Sequence, residues 1–266
     1  MSSALHITAI KAFTDNYIWC IHNDTHAAVV DPGNAAPVLQ FLKNNSLVLS
    51  DILITHHHYD HTGGVLDLKD ACQSVHVLGP VNDKILGVNT RLVEGDKISI
   101  LNDLVSFEVL ETPGHTLDHI AFFNGQWLFC GDTLFSAGCG RMFEGTPDVF
   151  LASLDKLSAL PGHLKVYCTH EYTLANLKFA RFLLPHDKAL AEYETWAKAE
   201  RAENRITLPS TIEQQREINP FLQCHKRSFQ ASVAEKLQSQ RIQITLQNEN
   251  AISTFAAIRA AKDNFA

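Results

Sequence analysis

The sequence predicts an α/β fold in which two packed sheets flanked by helices lead into an all-helical C-terminal part. Three observations carry this reading. Two blocks, residues 5–54 and 75–130, are rich in short strand-like runs separated by turn residues. At the end of the first block, Ile52-Leu53-Ile54 is fully apolar, as in a strand buried on both faces. Beyond about Tyr172 the strand signals stop, and the pattern is helical as far as Ala266.

In the first block, Leu5 to Phe13, Tyr17 to His22 and Ala27 to Val30 read as consecutive strands. Asp15-Asn16 and Asn23-Asp24 separate them, and Asp31-Pro32-Gly33 closes the third. A helix covers Ala36 to Lys43. In the second block, Val75 to Leu78, Lys97 to Ile100, Phe107 to Glu111, Ile120 to Phe123 and Gln126 to Cys130 are enriched in β-branched or aromatic residues. Asn124-Gly125 is a hairpin signal. Val149 to Leu160 reads as a helix and Val166 to Thr169 as a strand.

In the helical part, Thr173 to Leu184 stops at Pro185, which cannot continue a helix interior. Lys188 to Ala202 is rich in Ala, Glu and Lys, and the charge run from Lys188 to Arg205 reads as a solvated helix face. Ser210-Thr211-Ile212-Glu213 matches a capping box with the Ser210 hydroxyl at the N-cap. A last helix over Asn250 to Asn264 would bury Ile252, Phe255, Ala256 and Ile258. The expected domains are therefore 1–172 and 173–266.

Composition narrows the function. The chain has 266 residues, 45% hydrophobic and 19% charged, with a net charge of −7. That length sustains a full core and one or two domains. A mildly acidic chain without a basic block is a poor nucleic-acid binder. No apolar run reaches the ~20 residues that cross a bilayer. Met1 to Ile10 has no secretory pattern. The six cysteines contain no C-x-x-C pair and read as reduced thiols of a cytoplasmic protein.

Fourteen histidines are many for this length, and they cluster. The buried-strand run leads into His56-x-His58-x-Asp60-His61. In an extended segment, alternate residues share a side, which groups His56, His58 and Asp60. Three imidazoles and a carboxylate exceed what one four-coordinate ion takes from one loop. The spacing suggests one site using His56 and His58 and a neighbour using Asp60 and His61. Such donors suit Zn, Fe or Mn. Three later strands also end in turns bearing a ligand-type residue: His115, Asp132 and His170.

The motifs Thr55-His56-His57-His58-Tyr59-Asp60-His61, Thr112-Pro113-Gly114-His115, Gly131-Asp132-Thr133 and Thr169-His170 resemble those of the metallo-β-lactamase superfamily. Asp15-Asn16-Tyr17, Gly138-Cys139-Gly140-Arg141, Glu171-Tyr172-Thr173, Asn176 to Ala180, Asn219-Pro220-Phe221 and Ile258 to Asp263 resemble the glyoxalase II family of hydroxyacylglutathione hydrolases. The resemblance implies an αββα sandwich with a helical C-terminal domain. It implies two divalent ions per chain, zinc first, with iron or manganese as alternatives. One ion would take His56, His58 and His115, and the other Asp60, His61 and His170. Asp132 would bridge them together with a water or hydroxide, which Asp60 and Asp132 position for catalysis. Arg141, Tyr172, Arg259 and Lys262 would bind a glutathione thioester, chiefly S-D-lactoylglutathione, in methylglyoxal detoxification. Position 143 is Phe where some members carry Tyr. The expected protein is a cytoplasmic monomer with neither nucleic acid nor membrane as partner.

Blander roles fit other residues. His57 alternates away from its neighbours and reads as structural or as a group that supports the ligands from behind. Asp31 and His119 read equally well as groups that orient ligands and as ordinary hydrogen-bonding residues. Gly63 and Gly64 mark either a close approach or a simple turn. Four rival readings stand beside the thioester hydrolase: a persulfide dioxygenase, a β-lactamase or lactonase, a tRNA-processing nuclease, and a non-enzymatic metal- or glutathione-binding module. The complete ligand set and the helical tail with Arg259 and Lys262 count against the others, and the net charge of −7 counts against the nuclease.

Overall fold

The computed structural model describes residues 4–239 and 250–265. Strand β1 (His6–Ala12) turns through Phe13-Thr14-Asp15 into β2 (Asn16–His22), which pairs with β3 (His26–Val30). Next come α1 (Ala35–Asn45), β4 (Val48–Leu53), the one-turn α2 (Tyr59–Thr62), α3 (Val65–Ala71), β5 (His76–Pro80) and β6 (Thr90–Leu92). The second strand-rich block supplies β7 (Lys97–Ile100), β8 (Val105–Glu111), β9 (Ile120–Phe123) and β10 (Trp127–Gly131). Then follow the short hairpin β11 (Leu134–Phe135) and β12 (Gly138–Cys139), α4 (Pro147–Ser158) and β13 (Lys165–Cys168). The remainder is α5 (Thr173–Leu183), α6 (Lys188–Ala202), β14 (Ser210–Thr211), α7 (Ile212–Ile218), α8 (Arg227–Ser239) and α9 (Ala251–Asp263).

The chain forms two units: one of Met1–Thr112, Asp118–Gly131 and Tyr167–His170, the other of Pro113–Leu117, Asp132–Val166 and Glu171–Ala266. In the first unit, β1 to β6 form a sheet in sequence order. Strands β3, β4, β5 and β6 run parallel. Ile52, Leu53 and Ile54 are all fully buried, as expected of a strand covered on both faces. Helices α1 and α3 bring Val38, Leu42, Val65 and Leu68 into one apolar cluster with Ile18, Val29 and Ile52. Burying each such side chain contributes about 1.5–3 kcal/mol. Asn34 caps α1 by accepting from the Ala36 amide at 3.0 Å.

The second sheet has the strand order β14-β13-β10-β9-β8-β7. Trp19 of the first sheet stands edge-on to Tyr167 at 4.9 Å and donates from Nε1 to the Cys168 carbonyl at 2.9 Å. The predicted Asn124-Gly125 hairpin joins β9 to β10, with Asn124 Oδ1 accepting from the amides of Gln126 and Trp127.

In the second unit, Phe150 of α4 meets Phe255 of α9 edge-on at 5.6 Å. Leu177, Ala180, Leu190, Tyr193 and Ala197 of α5 and α6 form a cluster with Ile218 of α7. Two expectations are corrected here. The cap of α7 is Thr211, whose Oγ1 accepts from the Gln214 amide at 3.2 Å. Ser210 instead pairs with Val166 as a strand residue, so the capping motif lies one residue further on. In α9, Phe255 and Ile258 are buried as expected, but Ile252 is 47% exposed. The buried stripe runs through Thr254, Ala257 and Ala261 instead. No helix among the described residues is long and apolar enough to cross a membrane.

Candidate metal centre

In the first unit, β4 delivers the chain into Thr55 and the histidine loop. Gly33 and Gly64 let the flanking segments close on this loop. A Cβ at Gly33 would lie 1.9 Å from the Asp60 carbonyl oxygen, and one at Gly64 would lie 2.5 Å from the Ala35 nitrogen. The two-glycine step of Gly63 and Gly64 is thus a close approach.

Asp60, His61 and His170 come together so that one donor atom from each lies within 4.8 Å of the others. Nε2 of His61 and Nε2 of His170 both face Asp60 Oδ2, at 3.5 and 3.4 Å. Each ring turns its other nitrogen to a second carboxylate: Nδ1 of His61 lies 3.0 Å from Asp31, and Nδ1 of His170 lies 2.8 Å from Asp15. A carboxylate behind each imidazole fixes ring and tautomer and raises the basicity of the nitrogen in front, as in metal sites. Burial pushes the Asp60 carboxyl up, but hydrogen bonds from His170, His61 and Asn16 outweigh it and hold the group well below the usual carboxylate range. Asp60 is therefore a carboxylate at neutral pH. A divalent cation suits this donor set.

The first two histidines are also brought together. His56 Nε2 lies 3.1 Å from His58 Nδ1, and His56 Nδ1 lies 3.0 Å from Thr55 Oγ1. His119 stacks on the His56 ring at 4.7 Å and is bonded to Thr112 Oγ1 at 2.9 Å. His57 turns aside, as its alternation implied, and its Nδ1 meets Asp118 at 2.9 Å.

In the second unit, His115 repeats the same pattern. Its Nδ1 lies 2.7 Å from the Arg141 carbonyl oxygen, and its Nε2 lies 3.5 Å from Asp132 Oδ2. A Cβ at Gly140 would lie 2.0 Å from the Asp132 carbonyl oxygen, so this segment also depends on a bare backbone.

All four residues expected to hold substrate lie in the second unit. Arg141 is exposed beside Phe143, its guanidinium 5.6 Å from the ring centre. Phe143 stands edge-on to His115 at 5.3 Å. Tyr172 packs edge-on to Phe135 at 5.4 Å. Lys262 Nζ donates to the Ala175 carbonyl at 3.1 Å. Burial, followed by the neighbouring Arg259 charge, lowers its pKa to about 8. Arg259 differs from its helix neighbour: it is only 4% exposed and donates to the carbonyls of Cys139 and Gly140 and to Asp263. It shapes the segment that carries Arg141.

Two contributors stand in the sequence as turn residues and as part of the Asp15-Asn16-Tyr17 motif, with no site role of their own. Asp15 backs His170, and Asn16 Nδ2 donates to Asp60 Oδ2 at 3.0 Å. The local signal for a turn is identical whether or not its polar side chains serve a distant site.

Comparison with known proteins follows this geometry. Residues 13–170 match the family model of the metallo-beta-lactamase superfamily, and residues 171–265 match that of the hydroxyacylglutathione hydrolase C-terminus. A hydroxyacylglutathione hydrolase of Pseudoalteromonas translucida (strain TAC 125) is 48% identical over 263 residues, covering 98% of this chain and 100% of its own. One of Pseudomonas fluorescens (strain SBW25) is 47% identical over 265 residues, with 98% and 100% covered. Among solved structures, ETHE1 from Myxococcus xanthus aligns with a TM-score of 0.64 at 23% identity, covering 97% of this chain and 99% of that one. That likeness carries the metallo-β-lactamase fold alone.

Proposed function

The chain belongs to the hydroxyacylglutathione hydrolase (glyoxalase II) family of the metallo-β-lactamase superfamily, and we propose that it holds two ions for this hydrolysis through His56, His58, Asp60, His61, His115, Asp132 and His170. The reaction splits the thioester of S-(2-hydroxyacyl)glutathione, chiefly S-D-lactoylglutathione, into glutathione and a 2-hydroxy acid. The observation that carries the site reading is the set Asp60, His61 and His170, with donors convergent and each imidazole backed by its own carboxylate.

One ion is assigned to His56, His58 and His115, the other to Asp60, His61 and His170, with Asp132 shared. Zinc is the first candidate, ahead of iron and manganese. When bound, paired divalent cations polarise the acyl carbonyl and lower the pKa of coordinated water toward neutrality. The chain's own part is placement. Asp60 and Asp132 hold their carboxylate groups in place for the ions and the attacking water. Arg141, Tyr172 and Lys262 hold the glutathione moiety, whose two carboxylates complement a guanidinium and an ammonium. Arg259 supports this contact by tying down the Cys139-Gly140 backbone. The leaving group is a thiolate, stable enough to depart without a general acid. In this reading, residues 1–172 form the catalytic domain and 173–266 the substrate-binding domain of a cytoplasmic monomer.

The test is cleavage of S-D-lactoylglutathione by purified protein before and after exhaustive chelation, with elemental analysis. We expect two ions per chain, loss of turnover on stripping, and recovery with zinc. Undiminished turnover by the metal-free protein would overturn the reading. Oxygen consumption with glutathione persulfide, without thioester cleavage, would point to the dioxygenase chemistry instead.

A further inference from the structure

We propose that the β1–β2 turn is a built-in brace for one metal subsite, with Asp15 and Asn16 acting as positioning residues for His170 and Asp60. The inference rests on reading those two residues as metal ligands. A turn between two strands needs only polar, flexible residues. This turn does more. Successive side chains reach two different members of the Asp60–His61–His170 group: Asp15 Oδ1 lies 2.8 Å from His170 Nδ1, and Asn16 Nδ2 donates to Asp60 Oδ2 at 3.0 Å. The backbone locks the same join. Asn16 bridges His170, and the Tyr17 amide donates to the Thr169 carbonyl at 2.7 Å.

Two further features fit a brace. Asp60 sits on the four-residue α2, whose N-cap makes no side-chain hydrogen bond, and its side chain is 40% exposed. Its own element therefore holds it loosely, and Asn16, itself buried, supplies a fixed donor. Phe13, which opens the turn, has φ +49° while its side chain is 52% exposed. A bulky residue rarely adopts the left-handed region, and such backbones persist where the surroundings over-determine them. Here the hydrogen bonds on either side of the turn do so.

Asn16 and Asp15 also act in opposite senses. The amide of Asn16 donates to Asp60 and so holds that carboxyl group in place. The carboxylate of Asp15 accepts from His170 Nδ1, which directs Nε2 forward as the ligating nitrogen. Together they fix the orientation of both ligands.

The experiment compares the parent with Asp15→Ala, Asp15→Asn and Asn16→Ala. Zinc retention is titrated against a chromophoric chelator, alongside melting of the metal-stripped proteins and kcat and KM for S-D-lactoylglutathione. The expected result is a stripped Asp15→Asn protein that melts with the parent. The Ala variants should hold one of the two zinc ions about 10–100-fold more weakly, with Asp15→Asn intermediate. Restored zinc should then recover kcat, and KM should stay near the parent value throughout. Unchanged zinc affinity in the folded Asp15→Asn and Asn16→Ala proteins overturns the brace while leaving the ligand reading intact. If Asn16→Ala does not fold, unchanged affinity in Asp15→Asn alone overturns it. A parent that binds no zinc overturns both.

Discussion

Asp31 Oδ2 lies 3.0 Å from Nδ1 of His61, and both side chains are buried. The same carboxylate accepts from the Thr55 amide and from Thr55 Oγ1, both at 2.7 Å. One side chain therefore pins the histidine loop where it leaves β4 and again where it ends.

Asp31→Asn tests that double hold. Asn tolerates the left-handed backbone that Asp31 adopts at φ +53°, so the loop keeps its path. The amide cannot serve all three donors. We expect a loss of about 1–3 kcal/mol in stability from the buried group left unsatisfied, read as a lower Tm. Metal retention should weaken about 10–100-fold. An unchanged Tm together with unchanged metal content would refute the hold.

Arg259 and Lys262 should separate on mutation. Arg259→Ala removes a buried guanidinium bonded to two carbonyls and Asp263, so it should lower Tm as well as raise KM for glutathione thioesters. Lys262→Ala should raise KM with little effect on Tm. Melting curves beside steady-state kinetics check both. Equal effects of the two variants on Tm would contradict the different burial of the two cations.

The pH dependence of substrate capture should carry the signature of Lys262. Its pKa is lowered to about 8, so the ammonium is present below that pH and lost above it. Because kcat/KM reports the free enzyme's ionisations, it should decline above about pH 8 as KM rises. Lys262→Arg keeps its charge throughout this range and should abolish that decline. A parent and a Lys262→Arg variant with superimposable alkaline limbs would remove Lys262 from substrate binding.

Gly33→Ala should damage the loop from outside it. The added Cβ would meet the Asp60 carbonyl oxygen at 1.9 Å, a backbone atom that cannot swing away. Overpacking of this kind costs about 1–3 kcal/mol. The shift would be felt at Asp60 itself, so metal content should fall with Tm. Calorimetry and elemental analysis of the variant provide the measurement.

Much of the site was legible because strand ends advertise it. Apolar runs that stop at His56, Asp132 and His170 place ligand-type residues at turns, and their spacing survives in a linear reading. Asp15 and His170 are 155 positions apart, and nothing local joins them. Arg259 was legible as a cation but not as a buried one, since its i, i+3 spacing with Lys262 implies a shared face. The structure instead turns one inward to the Cys139 carbonyl and leaves the other partly exposed. At Ser210 a tertiary partner overrode a local motif: pairing with Val166 drew the hydroxyl residue into a strand, and Thr211 took the cap. In α9 the abundance of small apolar residues blurred the helical phase, which is why Ile252 was placed on the wrong side.

None of the six cysteines forms a disulfide, and five are buried. Burial raises the thiol pKa of Cys20 to about 12 and that of Cys139 to about 11. Only the thiolate attacks a disulfide. A catalyst that liberates glutathione releases a tripeptide thiol at every turnover, and the oxidised form of that thiol is a disulfide. With their thiols buried and kept protonated, Cys20 and Cys139 stay out of exchange with that product.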